Sequence, residues 1–386
     1  MKILTFLHSF EPGGVERVAL RLAAFWQQQG LDAPVFLGRP DGAARIAEAD
    51  RLRLIYPATP PVSPAWIETL WMIVTLPNVI RREQPDALFC AGNSYSVVAV
   101  AMKLLLGRKC PPVIAKISND LDRRDIPRPA RWLYHLWLRL QTPFLDRIVA
   151  MEASMKAEIA RCMGVADGQI AVIPDPAVSE TEVRHLAQLR KNRSKPATGR
   201  DFVAVGRLSR QKNIAMMLRA FAAGSIRGDT LTFVGEGPLR PSLEAQVRAS
   251  GLADRVHFVG HVDAIGPWLA RADFYLMSSH YEGVPAVLVE ALAAGLPIIT
   301  TNCSNAISAM LDGGRLGRIV AAGDEQAMAQ AIRFAAPDFH LDAERVTMAR
   351  QFTLEKSGRH YAGLFAAVAD RWRTERDYMP IRSIKP

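Results

Sequence analysis

Two carboxylates eight positions apart, Glu282 and Glu290, frame a stretch where strand, turn and apolar helix follow in quick succession. It reads Ser278-Ser279-His280-Tyr281-Glu282-Gly283-Val284-Pro285 and runs on to Glu290-Ala291-Leu292-Ala293-Ala294-Gly295-Leu296-Pro297. Glu282 falls in the loop after a strand, with Gly283 making the turn. Glu290 falls about one turn into an otherwise apolar helix. A carboxylate there is costly to bury unless strong donors reach it, and adjacent sugar hydroxyls are such donors. A structural glutamate capping a neighbouring loop is the plainer alternative.

Two cations form a second candidate. Gly206-Arg207-Leu208 ends a strand, and Lys212-Asn213 opens the following helix. A planar guanidinium fork and a point charge five residues apart suit a diphosphate; in isolation a solvated basic turn explains them better. The next strand ends in Gly235-Glu236-Gly237-Pro238, a turn that permits close backbone approach. Arg240 stands where a dinucleotide fingerprint needs its third glycine, which disfavours a nicotinamide-dependent oxidoreductase. Near the N-terminus, Pro12-Gly13-Gly14-Val15-Glu16-Arg17 lies between a strand and a helix. Paired glycines there let backbone N–H groups approach an anion at a helix N-terminus, or simply make a tight turn.

The elements that must position these residues alternate. Strands are expected at 3–8, 33–37, 52–55, 87–91, 113–118, 147–151 and 170–173, with helices such as 15–29, 66–82 and 94–106 between them. The pattern restarts with strands at 202–205, 231–234, 256–259, 274–277, 297–300 and 317–320 and helices such as 214–222, 239–250 and 287–294. Such alternation of apolar strands with helices predicts parallel sheets covered on both faces. Residues 184–212 hold nine basic residues against one acid, Asp201, with Ser194, Pro196, Thr198 and Gly199 at their middle. The expectation is an α/β chain of two Rossmann-like, doubly wound domains facing a central cleft, with ligands beyond the carboxyl ends of the strands. The first domain is expected over 1–180, a basic linker over 181–199 and the second domain over 200–362. A C-terminal helix at about 363–386 is expected to pack back on the first domain.

Composition agrees with this class. The chain has 386 residues, of which 49% are hydrophobic and 22% charged, with a formal net charge of +10. That length suits two cores rather than one, and the charge favours anionic partners. Cys90, Cys110, Cys162 and Cys303 match no zinc or redox spacing and read as buried thiols of a reducing compartment. No signal peptide is read at the N-terminus. The apolar stretches 65–80 and 283–301 are interrupted by Glu68, Pro77 and Glu290, so neither reads as a membrane span.

Taken together, Gly13-Gly14 with Glu16, Gly206-Arg207 with Lys212, Gly235-Glu236-Gly237-Pro238 and the Glu282/Glu290 pair resemble the retaining glycosyltransferases of family 4, which have the GT-B fold. The resemblance continues through Phe352-Thr353-Leu354-Glu355-Lys356 and Tyr361, and it is stronger in the second half. It implies transfer of a hexose from a nucleotide sugar, UDP slightly before GDP, with retention of anomeric configuration. Gly13 and Gly14 would meet the donor's distal phosphate through backbone N–H groups. Arg207 and Lys212 would neutralise the diphosphate leaving group, so no metal or other cofactor is expected. Glu282 would hold hydroxyls of the transferred sugar and Glu290 those of the ribose. Gly206, Gly235, Gly237, Gly283, Val284 and Pro285 would line the donor. Catalysis would rest on Arg207, Lys212 and Glu282. An oxocarbenium-like transition state sends charge onto the diphosphate, where fixed cations stabilise it, and no second carboxylate nucleophile is needed.

The chain departs from the family in two places. Lys116-Ile117-Ser118-Asn119-Asp120 has no histidine where members often carry one, leaving Asn119, Asp120 and Glu16 as acceptor-side candidates. Thr301-Asn302-Cys303-Ser304-Asn305-Ala306 lacks the Gly-Pro pattern common in many members. Asp120-Leu121-Asp122 matches a metal-binding Asp-x-Asp, but on the wrong fold.

The first domain is expected to take the acceptor. Residues 103–147 carry ten basic residues against four acids, interleaved with Trp132, Tyr134, Trp137 and Phe144. That mixture fits an anionic membrane surface, or an ordinary amphipathic helix with its tryptophans in the core. No nucleic-acid motif accompanies the charge. The expected acceptor is lipid-linked, or a lipopolysaccharide or other polysaccharide, met at the cytoplasmic face of the membrane. A non-catalytic binding protein of the same fold and a nucleotide-sugar epimerase are the competing functions.

Overall fold

Thirteen apolar runs become thirteen strands, each within a residue or two of its expected bounds. The computed structural model describes residues 1–10, 14–40, 51–57, 67–118, 121, 127–192 and 199–377. They form two units, one of residues 1–175 with 354–386 and one of residues 176–353.

The first unit runs β1 (Ile3–Leu7), α1 (Gly14–Gln28), β2 (Val35–Leu37), β3 (Leu54–Ile55), α2 (Glu68–Glu83), β4 (Ala87–Cys90) and α3 (Ser96–Leu106). It continues through β5 (Val113–Ile117), α4 (Arg128–Gln141), β6 (Arg147–Ala150), α5 (Met155–Met163) and β7 (Ile170–Val172). The sheet is parallel throughout, in the order β3-β2-β1-β4-β5-β6-β7. Strands β1, β2, β4 and β5 are buried at every position, which is why they read as apolar runs broken only by Thr5 and Lys116. The order reverses between β1 and β4, and the crevice beyond their carboxyl ends is where such sheets bind ligands.

The second unit holds α6 (Glu180–Lys191), β8 (Asp201–Val205), α7 (Ile214–Gly224), β9 (Thr230–Val234), α8 (Arg240–Ala249), β10 (Val256–Gly260) and α9 (Gly266–Arg271). Then come β11 (Phe274–Met277), α10 (Ala286–Ala293), β12 (Ile298–Thr301), α11 (Ala306–Met310), β13 (Gly317–Val320), α12 (Glu325–Arg333) and α13 (Asp342–Ala349). Its parallel sheet has the order β10-β9-β8-β11-β12-β13, reversing between β8 and β11. Arg345 is wholly buried beneath it, with its guanidinium donating to Leu316 O at 2.9 Å and to Asp338 Oδ1 at 2.6 Å.

The linker expected over 181–199 is corrected in its first part, because residues 180–191 are helix α6. Ser179 Oγ accepts from Glu182 N at 3.1 Å while the Glu182 carboxylate accepts from Ser179 N at 2.5 Å, a capping box that starts the helix. Val183, Leu186 and Arg190 are buried, so α6 is part of the second unit's packing. Ser194, Pro196 and Thr198 lie outside the described residues.

The return of the chain also comes earlier than 363. A final helix, α14 (Leu354–Asp377), belongs to the first unit from its start and packs on α1. Trp26 Nε1 donates to Gly358 O at 3.0 Å, and Tyr361 and Phe365 join Trp26 and Phe89 in one aromatic cluster. Tyr361 is therefore a core residue of the first unit rather than of a domain ending at 362.

Candidate active site

The second unit gathers its candidates where its strand order reverses. Strand β8 ends at Val205, and Gly206 follows at φ 145°, a conformation L side chains rarely adopt. A Cβ at Gly206 would stand 3.3 Å from Lys212 Cε, so the bare backbone makes room for the lysine stem. Lys212 closes a short 3-10 turn, Arg210–Lys212, and Asn213 then takes a left-handed conformation (φ 47°) before α7 begins. Asparagine tolerates this better than most residues.

Strand β11 delivers the counter-charge. Lys212 Nζ donates to Glu282 Oε1 at 2.7 Å, and Ser279 Oγ donates to the same oxygen at 2.7 Å. The loops are tied by backbone as well as side chain. Ser278 Oγ donates to Lys212 O at 2.7 Å, His280 N to Gln211 O at 2.8 Å and Gln211 Nε2 to Tyr281 O at 3.0 Å. From the far side, Glu282 N donates to Cys303 O at 2.9 Å and Thr301 Oγ1 to Ser279 O at 2.7 Å. A pocket lies beside this pair, lined by Gly206, Lys212, Tyr275, Ser278 and Ser279 among others.

The two carboxylates share one electrostatic neighbourhood. Burial pushes the Tyr275 phenol well above its ordinary value, and the charges of Glu282 and then Glu290 push it further. Burial also raises the Cys303 thiol to about 12, with Glu282 adding to it. Glu290 is half-buried on α10, and Gly283, Val284 and Pro285 lead into that helix without any side chain capping its first turn. Its early N–H groups therefore face an anion-favouring end.

A neighbouring pair of loops stiffens the basic turn. Gly206 N donates to Val234 O at 2.9 Å, Leu208 N to Glu236 O at 2.9 Å and Leu239 N to Leu208 O at 3.2 Å. A Cβ at Gly235 would meet Gly206 O at 2.2 Å, and one at Gly237 would meet Leu208 O at 2.3 Å. Only glycine permits this contact. Arg207, between the laced residues, is exposed and makes no ion pair among the described residues.

The corresponding crevice of the first unit is different. Gly14 is exposed and opens α1; Glu16, in the same first turn, accepts from Tyr95 Oη at 2.7 Å. The His8 ring lies 4.7 Å from the Tyr95 ring, and its Nε2 is 3.3 Å from Thr69 Oγ1. Asn93 Oδ1 accepts from Ser118 N at 2.9 Å, joining the ends of β4 and β5. Gly13, Asn119 and Asp120 lie outside the described residues.

So Gly206, Arg207, Lys212, Gly235, Gly237, Glu282, Gly283, Val284, Pro285 and Glu290 all sit around one strand-end region of the second unit, and Glu16 belongs to a cluster in the first. Tyr95 and His8 join the first unit's cluster without standing out in the sequence, because their partners are set by strand order rather than by neighbours along the chain; Ser279 meets Glu282 three residues on. The serine pair after β11 is the one trace a motif leaves. Among the described residues no three His, Cys, Asp or Glu side chains converge as a metal site, and no helix is long and apolar enough to cross a membrane.

Comparison with known proteins bears on these clusters. The sequence pattern described as Glycosyltransferase Family 4 matches residues 12–189, and that described as Glycosyl transferases group 1 matches residues 199–338. The chain is similar to the lipopolysaccharide core biosynthesis glycosyltransferase LpsE of Rhizobium meliloti, 31% identical over 380 residues that cover 95% of this chain and 99% of that protein. It is also 31% identical over 210 residues to a glycogen synthase of Mycobacterium tuberculosis, where the match covers 53% of this chain and spans only about half (49%) of the relative's length. Among solved structures, Anabaena Alr3699/HepE in complex with UDP superposes with a TM-score of 0.75 at 19% identity, over 95% of this chain and 100% of that one. The lipopolysaccharide outer core galactosyltransferase WaaB gives 0.73 at 16% identity, over 95% and 99%. The shared architecture is GT-B.

Proposed function

The chain belongs to the family 4, group 1 glycosyltransferases, and from that premise we propose that it moves a hexose, with retention, from a UDP-sugar to a lipid-linked or polysaccharide acceptor of the cell envelope. The observation that carries the donor half is the Lys212–Glu282 pair, 2.7 Å apart at the point where the second sheet reverses. One cation and one carboxylate at a switch point suit a ligand that is phosphate at one end and hydroxyl at the other. UDP is favoured because HepE, similar in fold, has been solved with UDP and with UDP-glucose. The acceptor class follows LpsE, whose name places it in lipopolysaccharide core biosynthesis.

In this reading the bond from the anomeric carbon to the diphosphate oxygen breaks as an acceptor hydroxyl attacks from the same face. The hydroxyl proton passes to the leaving phosphate oxygen, and the diphosphate departs against Arg207 and Lys212. Those cations act where charge develops, so no metal is required. Glu282 orients the sugar, Glu290 the ribose, and the N–H groups at the start of α10 meet phosphate oxygens. The protein works at the inner face of a membrane that carries its acceptor.

A thermal-shift panel of UDP, GDP and their sugars tests the donor, since a ligand bound only by the native state raises its stability. UDP and one UDP-sugar are expected to raise the melting temperature, and GDP to do so less. The reading fails if no nucleotide stabilises the protein and neither Lys212→Ala nor Glu290→Ala alters transfer. Binding with neither transfer nor hydrolysis from any donor would identify a non-catalytic member of the fold.

A further inference from the structure

In the first unit, large apolar side chains are left in solvent on two adjacent helices. Leu104 and Leu105 on α3, and Trp132, Leu133, Leu136 and Leu140 on α4, are each between 40% and 66% exposed. On α4 the spacing i, i+1, i+4, i+8 makes one stripe, while the opposite face buries only Leu138 and Gln141. Helix α3 packs beside α4, and the two connect successive strands of one parallel sheet, so they run the same way on the same face.

The charge on these helices has a single sign. Residues 96–109 and 128–141 contain Lys103, Arg108, Lys109, Arg128, Arg131 and Arg139 and no Asp or Glu. Lys103 is engaged by Asp146 at 2.7 Å; Arg128 and Arg139 are exposed beside the apolar stripe. A second copy of this chain docked face to face would set cations against cations. A nucleic acid would answer the charge and leave the leucines wet. An anionic bilayer answers both, taking the leucines and the tryptophan into its headgroup boundary and the arginines against its phosphates.

We propose that the α3–α4 face of the first unit is the surface by which the protein docks on an anionic membrane. It rests on the reading above only for why a bilayer would be met, and its physics is independent of the donor. Docking here holds the first unit at the membrane plane through helices that are not part of the candidate donor site.

Co-sedimentation of the full chain with phosphatidylethanolamine vesicles containing phosphatidylglycerol, and with phosphatidylcholine vesicles, tests this. The wild type is expected to bind the anionic vesicles, to be released by salt and to ignore the neutral ones. Trp132→Ser with Leu133→Ser is expected to weaken binding by about tenfold or more, and Arg128→Glu with Arg139→Glu by a similar factor. Wild-type melting temperatures would show the variants fold. The proposal is overturned if the wild type leaves anionic vesicles unbound, if both variant pairs bind like it, or if the apolar pair instead dissociates a dimer seen by sedimentation equilibrium. A UDP-induced thermal shift, measured alongside without vesicles, separates the two readings: its absence would remove the donor assignment and leave a charge-dependent vesicle result standing.

Discussion

The same topological position carries opposite chemistry in the two units. Where the second sheet reverses, a lysine faces a carboxylate and an exposed arginine stands nearby. Where the first reverses, a carboxylate faces a tyrosine hydroxyl, with a histidine ring against the tyrosine and an asparagine bridging the next strand. The sheets place a crevice at the same point in each case; the side chains decide what it suits. A lysine and an exposed arginine suit phosphate. A hydroxyl network with one acid suits a neutral, hydroxyl-bearing partner, which is how we read the acceptor side.

The sharpest way to break this contrast is Lys212→Ala. If the lysine steadies the leaving diphosphate, turnover falls about 100- to 1000-fold, some 3–4 kcal/mol of barrier, in steady-state transfer assays. A drop of under about tenfold would place the cation outside the chemistry. Next comes Glu290→Ala, expected to weaken UDP binding about 10- to 100-fold by calorimetry while leaving acceptor KM unchanged. An altered acceptor KM with normal UDP affinity would reverse the division of labour.

Tyr95→Phe probes the other crevice. It removes the hydroxyl that Glu16 accepts and is expected to raise acceptor KM roughly three- to tenfold with UDP affinity unchanged. Weakened UDP binding would instead join Tyr95 to the donor. The smallest effect is in acid stability, where the units differ in sign. Burial pushes Asp86 up, but its bonds from Lys2 N–H and Arg373 outweigh that and hold it below its usual value. Its stabilisation is present above the unfolded value of about 3.9 and is lost as pH falls through the lower folded value. Asp342 is raised, by burial first and Asp338 after, against Arg190 and Arg345. Its folded form binds more protons, so its contribution declines as pH rises from about 3.9. In melting curves, wild type should lose its advantage over Asp86→Asn on acidification and lose ground to Asp342→Asn as pH rises, each by roughly a few degrees.

Much of this organisation is legible in sequence because buried parallel strands are largely apolar, without interruption at 87–90 and broken at 113–117 only by Lys116, which is buried against Asp175. The helix at 180–191 is misread as linker when basic residues are weighed over the Ser179-x-x-Glu182 cap and the buried Val183 and Leu186. The return of α14 at Leu354 is hidden because the contacts that hold it, Trp26 to Gly358 and Tyr361, span most of the chain. In the candidate site, charged residues with flanking glycines announce themselves. Tyr95 does not, since tyrosine occurs everywhere and only the sheet order shows that it meets Glu16.

The glycines at 235 and 237 have a consequence beyond turn geometry. They hold the backbone around Arg207 by main-chain bonds from a different loop, so the arginine's base has little conformational freedom left to lose when a ligand arrives. A methyl group at Gly237 would touch no ligand and remove no charge. It would prise the two loops apart and return that freedom to the backbone of the turn. In the proposed function, the affinity of this crevice for phosphate would thus depend in part on atoms that position 237 does not have.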